Sequence, residues 1–149
     1  MKSFSNLTIL TGNTAVSALM TPRCLRVVRA MCFISVINAM PAAASAEDEE
    51  TEKSLSDLVR RHNLEYRRFP IATDGSFDAG LIDSFRDLMN DVPNPAVVFS
   101  RTGRSAVSLW ALANAEMLTC EQLAEKALRA GHDISALLDA GAKQNPIAA

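Results

Sequence analysis

The chain has 149 residues, 48% of them hydrophobic and 21% charged, with a formal net charge of -2. That length supports one domain over residues 1–149, able to bury roughly 70% of its unfolded surface, and the near-neutral balance excludes broad electrostatic capture of nucleic acid. Three cysteines without CxxC spacing and two histidines without a His/Cys cluster exclude a disulfide framework and leave no metal or cofactor to expect. Cys24, Cys32 and Cys120 read as reduced and mostly buried.

In chain order, NLTIL (6–10) reads as a strand closed by the turn Thr11-Gly12-Asn13. Thr21-Pro22 offers an N-cap with proline at the first helical position, opening a helix to about Ala30. CFISVIN (32–38) is a near-continuous apolar run suited to a strand buried on both faces of a parallel sheet, with Cys32 inert inside it. The same region has a second reading. Arg23, Arg26 and Arg29 precede the apolar AMCFISVINAM and then AAASAED, the order of a secretory signal. Cleavage after Ala46 would need a leader longer than the usual span of about 15–30 residues, so a folded β-α-β start in a cytoplasmic protein is preferred, with export as the alternative. The run is far short of the about 20 residues that span a membrane, and no membrane partner is expected.

Residues 41–52 turn from small to acidic and read as a solvated loop running into a helix over 51–63, with Leu55, Leu58 and Val59 on one face. His62, near its end, is expected to meet terminal carbonyls. LEYRRFPI (64–71) reads as a strand and ATDGSFDAG (72–80) as a loop. A helix over 79–90 carries the apolar stripe Leu81, Ile82, Phe85, Leu88 and Met89. Pro93 and Pro95 precede a buried strand over 96–99 and a helix over 104–115. Thr119 to Gln122 has the form of a capping box for a helix that stops at Gly131, and Asp133 caps a last short helix, ISALLDAG (134–141). The order β-α-β-α-β-α-β-α-α-α predicts an α/β fold: a mostly parallel sheet of about four strands flanked by helices. Ligands of such sheets bind beyond the carboxyl ends of the strands.

One stretch at such an end stands out: VFSRTGRSAVSLWALA (98–113) passes from strand through turn to helix. A helix N-terminus leaves amides unpaired and carries partial positive charge, and an arginine grips an oxyanion bidentately. Arg101, Thr102, Gly103, Arg104 and Ser105 are therefore the candidate anion-binding residues, with a phosphate- or sulfate-like anion as partner. Turnover there needs a nucleophile of low pKa, which a thiol supplies, whereas the Ser100 hydroxyl would need a dedicated base. No histidine lies near in sequence. Trp110 is expected in the core.

With VINAMP (36–41) and ALRAGHDISAL (127–137), this stretch resembles the beta-lactamase hydrolase-like protein, phosphatase-like domain family over nearly the whole chain. There the loop reads C-R-S-G-T-R-S before LWALA, with V-I-N-N-R-P and A-x-x-A-G-Y-D-L-S-A-L elsewhere. The resemblance implies a fold related to cysteine-dependent dual-specificity phosphatases and a hydrolase of phosphate or related esters. Because the loop also resembles that of rhodaneses, it implies sulfur transfer for some members. It puts a general acid near Asp74 or Asp78, residues that also suit a turn at Asp74-Gly75 and a helix cap at Asp78.

The departures from the family pattern fall around the pocket. Aligned on Arg101 and Gly103, Ser100 stands where the cysteine belongs and one residue is missing before Arg104; aligned on Arg104, Phe99 stands there instead. Neither alignment supplies a thiol. Met40 replaces the arginine of the NNRP element, and the D-G-E-E after it loosens to AAASAEDEE. His132, just after Gly131, stands where the family has tyrosine and is read not as part of that pocket but as loop surface. The expectation is a pseudoenzyme retaining oxyanion binding, with Ser100 and Asp74 at the catalytic positions. Its alternatives are an active hydrolase using Ser100 or a water held by Arg104 and Asp74, and a sulfurtransferase-like protein. Nothing in the sequence bears on the oligomeric state.

Overall fold

The computed structural model describes residues 7–73 and 76–144. Along the chain run β1 (Thr8–Thr11), β2 (Thr14–Ser17), α1 (Pro22–Ala30), β3 (Ser35–Asn38), α2 (Ala46–Arg61) and β4 (Glu65–Arg68). They are followed by α3 (Ala79–Asp91), β5 (Ala96–Phe99), α4 (Arg104–Ala113), α5 (Cys120–Arg129) and α6 (Ser135–Gln144). One sheet has the order β1-β2-β5-β3-β4. Its interior is parallel, since β2, β3 and β4 each align with a parallel neighbour, while β1 folds back antiparallel on β2.

The sheet has five strands rather than the expected four. Thr11 faces Thr14 across Gly12-Asn13, so the turn read from the sequence is a two-residue hairpin whose second strand was missed. TAVS is only four residues long and sets the strand formers Thr14 and Val16 beside Ala15 and Ser17, and so gives a weak signal. All four of its residues are nonetheless buried, because β2 lies inside the sheet between β1 and β5.

Three helix starts follow from capping. The Thr21 side chain accepts from the Cys24 amide at 3.2 Å, and Pro22 fills the first turn. Asp78 accepts from the Leu81 amide at 2.7 Å, and Thr119 and Gln122 form the reciprocal capping box. The expected acidic loop over 41–52 is corrected: α2 starts at Ala46, with Ser45 Oγ accepting from the Asp48 amide at 3.1 Å. Glu47, Asp48 and Glu49 occupy its first turn, where carboxylates complement the helix dipole even without apolar periodicity.

The strand expected over 32–38 is shorter. Cys32 lies at φ 67, and the Phe33 amide donates to Val28 C=O at 3.1 Å, so residues 32 and 33 finish α1 before β3 begins. This corrects the burial of the cysteines: Cys24 is buried, but Cys32 and Cys120 are exposed. The apolar run of the signal-like segment forms β3, between β5 and β4. No helix among the described residues is long and apolar enough to cross a membrane.

Pleating sends alternate residues to opposite faces. Ala15, Val36, Val97 and Phe99 pack with Leu25 and Val28 of α1 and Val59 of α2. Val16, Ile37, Ala96 and Val98 pack on the other face with Phe85, Leu109, Trp110 and Leu123. Trp110 is 2% exposed, as a core role requires, and burying one such large side chain contributes about 2–3 kcal/mol. The parallel strands finish on one edge, laced by Ser100 N–H to Ser17 C=O (3.2 Å), Ala39 N–H to Phe99 C=O (2.8 Å) and Phe69 N–H to Asn38 C=O (2.8 Å).

Candidate functional site

At that edge the chain leaves β5 through Ser100 and enters α4 at Arg104. Ser100 is 2% exposed, and its Oγ accepts the Ala106 amide at 3.2 Å. The Thr102 hydroxyl accepts the Arg104 amide at 3.3 Å. Gly103, at φ 89 and ψ -14, is the N-cap residue of α4 and has no side chain to cap with. The amides of Arg101, Thr102, Gly103 and Ser105 donate to no acceptor among the described residues. Arg101 and Arg104 are exposed. The loop thus presents two guanidinium side chains and four uncommitted N–H groups beside a helix N-terminus, an arrangement suited to an anion.

Sequence reasoning missed a histidine here. His132 is half-buried rather than loop surface, and its Nε2 lies 3.3 Å from the point where a Cβ on Gly103 would stand. Only the tertiary fold could reveal this. Asp133 follows it and accepts the Ser135 amide at 3.0 Å, capping the last helix as expected. That amide and the Ser135 hydroxyl hold the Asp133 carboxyl below the usual range, and the Arg104 guanidinium adds a smaller pull in the same direction.

A second polar cluster lies along the same edge, over β3 and β4. Asn38 Nδ2 donates to the Tyr66 hydroxyl at 3.0 Å, and Asn38 Oδ1 accepts the Met40 amide at 3.1 Å. The Tyr66 hydroxyl donates to Glu52 Oε2 at 3.3 Å, and Glu52 pairs with Arg68. Burial foremost pushes the Tyr66 hydroxyl up from its ordinary pKa, with the Glu52 charge acting the same way.

Asp74 and Gly75 lie outside the described residues, and Asp78 is a helix cap. His62 Nδ1 lies 2.9 Å from Leu58 C=O at the end of α2, as expected of a helix-terminal histidine. Among the described residues no group of three or more His, Cys, Asp or Glu is placed to hold a metal ion.

The family model for the beta-lactamase hydrolase-like protein, phosphatase-like domain matches residues 6–117. The chain belongs to this family. The match runs from the first strand past α4 and stops short of α5. Solved structures extend the likeness in fold. A candidate phosphatase from Neisseria meningitidis is 14% identical at a TM-score of 0.75, covering 88% of this chain and 92% of its own. The TpbA protein of P. aeruginosa, solved as a cysteine-to-serine variant in complex with pTyr, is 13% identical at a TM-score of 0.66, covering 92% of this chain and 81% of its own. The kinase associated phosphatase, solved with its catalytic-site cysteine substituted by serine, is 11% identical at a TM-score of 0.59, covering 76% and 72%. No curated protein sequence matches the chain.

Proposed function

We propose that the chain is a non-hydrolysing member of its family that binds a phosphate monoester or a similar oxyanion at residues 100–105. The observation that carries this reading is Ser100: a buried hydroxyl held on the Ala106 amide stands at the end of β5, where family chemistry calls for a thiol. Amides at a helix N-terminus turn a thiol into a thiolate near neutral pH, but a serine hydroxyl is many units harder to ionise. The residue missing between Gly103 and Arg104 shortens the ring of donors, and stabilisation of a transferring group depends on their placement. Ground-state binding is less demanding, and Arg101, Arg104 and the uncommitted amides supply it. Two structural neighbours support binding without turnover: each carries serine in place of a cysteine, and one of them holds pTyr.

The cytoplasm fits this reading with residues 23–46 retained, because cleavage after Ala46 would take β3 out of the middle of the sheet. Asp74 is assigned no proton transfer. The test is a thermal-shift titration with phosphate and with sulfate, run beside a hydrolysis assay on a generic aryl phosphate. Ligand at about 100 times its Kd stabilises the folded state by about 2.7 kcal/mol, so the midpoint should climb with either anion, and Arg104→Ala should lose most of that climb while hydrolysis stays at background. No shift with either anion, or turnover abolished by Ser100→Ala, overturns the reading.

A further inference from the structure

α5 ends in a reversal that aims one side chain. Gly131 adopts φ 92, its amide donates to Leu128 C=O at 2.9 Å, and the His132 amide reaches back to Ala127 C=O at 2.9 Å. The turn delivers the imidazole to Gly103. The point where a Cβ would stand on that glycine is 3.3 Å from His132 Nε2, 3.4 Å from the Ala18 amide nitrogen and 3.5 Å from the Ser17 carbonyl carbon. Three segments distant in sequence therefore meet at the N-cap of α4: the end of β2, the loop, and the α5–α6 turn. Neither imidazole nitrogen has a hydrogen-bond partner among the described residues. Asp133, next to it in the turn, feels the Arg104 guanidinium of α4, and β2 brings the uncharged Ser17 and Ala18 to the same glycine.

We propose that His132 sets the anion affinity of the loop: the imidazolium adds a positive charge beside Gly103 and strengthens binding, and the neutral ring does not. This rests on the anion-binding reading above. Histidine is the side chain whose ordinary titration falls between about pH 5 and 8, so the loop becomes a site whose strength follows protonation. A unit charge within a Debye length of a bound dianion at a partly solvated site changes affinity by about threefold to tenfold. Linkage makes the effect reciprocal: the anion must raise the proton affinity of His132 by the same factor, which is about 0.5–1 pH unit.

The experiment is an NMR titration of the imidazole resonances of the full chain, with and without saturating sulfate, which stays dianionic throughout. The chain has two histidines, and His62, at the end of α2 and the opposite edge of the sheet, serves as the internal control. The His132 midpoint should rise with sulfate and the His62 midpoint should stay. Sulfate should also bind about threefold to tenfold more tightly near pH 5.5 than near pH 8, a difference abolished in His132→Gln. The wild-type titration decides the matter even if that variant fails to fold. Sulfate binding that is lost in Arg104→Ala but leaves the His132 midpoint unmoved overturns this inference alone. Absence of sulfate binding to the wild type at either pH overturns the anion-binding reading and this inference with it.

Discussion

The two halves of the carboxyl edge of the sheet are built on opposite terms. Over β3 and β4, Asn38, Tyr66, Glu52, Arg68 and the Met40 amide satisfy one another in a closed chain of hydrogen bonds and one ion pair. Over β5, four amides and two exposed arginines have few internal partners. A saturated cluster holds its shape without help, since buried polar groups are stable only when paired. An unsaturated one at a helix N-terminus keeps donors for something that arrives from solvent. The difference separates scaffold from site more clearly than composition does, because both halves are rich in arginine.

The largest expected effect comes from opening the closed half. Asn38→Leu leaves the Met40 amide without its acceptor and removes the Asn38 donor from the Tyr66 hydroxyl, and should cost about 1–3 kcal/mol in chemical denaturation. If the contrast is right, the remaining folded protein still responds to sulfate. Next is Gly103→Ala, where a side chain must adopt φ 89 and press on His132 Nε2 at 3.3 Å. Strain of this kind costs about 1–2 kcal/mol, and anion affinity should fall with stability, since the proposed binding lies in this half. A stability loss like that of Asn38→Leu with sulfate response intact would erase the distinction.

The smallest effect concerns alkaline pH. The Tyr66 hydroxyl titrates above its ordinary value of 10.0 in the folded chain, so the folded state favours the neutral phenol relative to the unfolded state. That contribution is fully present below about pH 10 and is lost as pH rises through the folded value. Denaturation midpoints followed upward from about pH 9 should therefore decline, and Tyr66→Phe should flatten the decline.

Much of the scaffold is legible in the sequence because its signals are local. Thr21-Pro22, Asp78 and Thr119 with Gln122 each mark a helix start by side chains within three residues of the cap. The buried strand at Ala96–Phe99 shows as an apolar run. What escaped depends on neighbours. TAVS becomes a strand because β1 and β5 flank it. AAASAEDEE divides at Ser45 because one hydroxyl caps a helix that hydrophobic periodicity does not announce. At the site, residues 100–105 stand out from their types and order, but His132 lies on a turn near the far end of the chain, and its approach to Gly103 is settled only by how α5 packs.

That packing bears on what counts as the working unit of this family. The recurrent stretch ends at residue 117, yet Leu123, Ala127 and Ile134 beyond it are at most 1% exposed, sharing a core with Trp110. A polypeptide trimmed to the shared boundaries would keep every loop residue and uncover the apolar flank of the helix that supports them. The stretch that marks the family is therefore shorter than what this chain needs to stand, and the helices after it are structural timber rather than ornament.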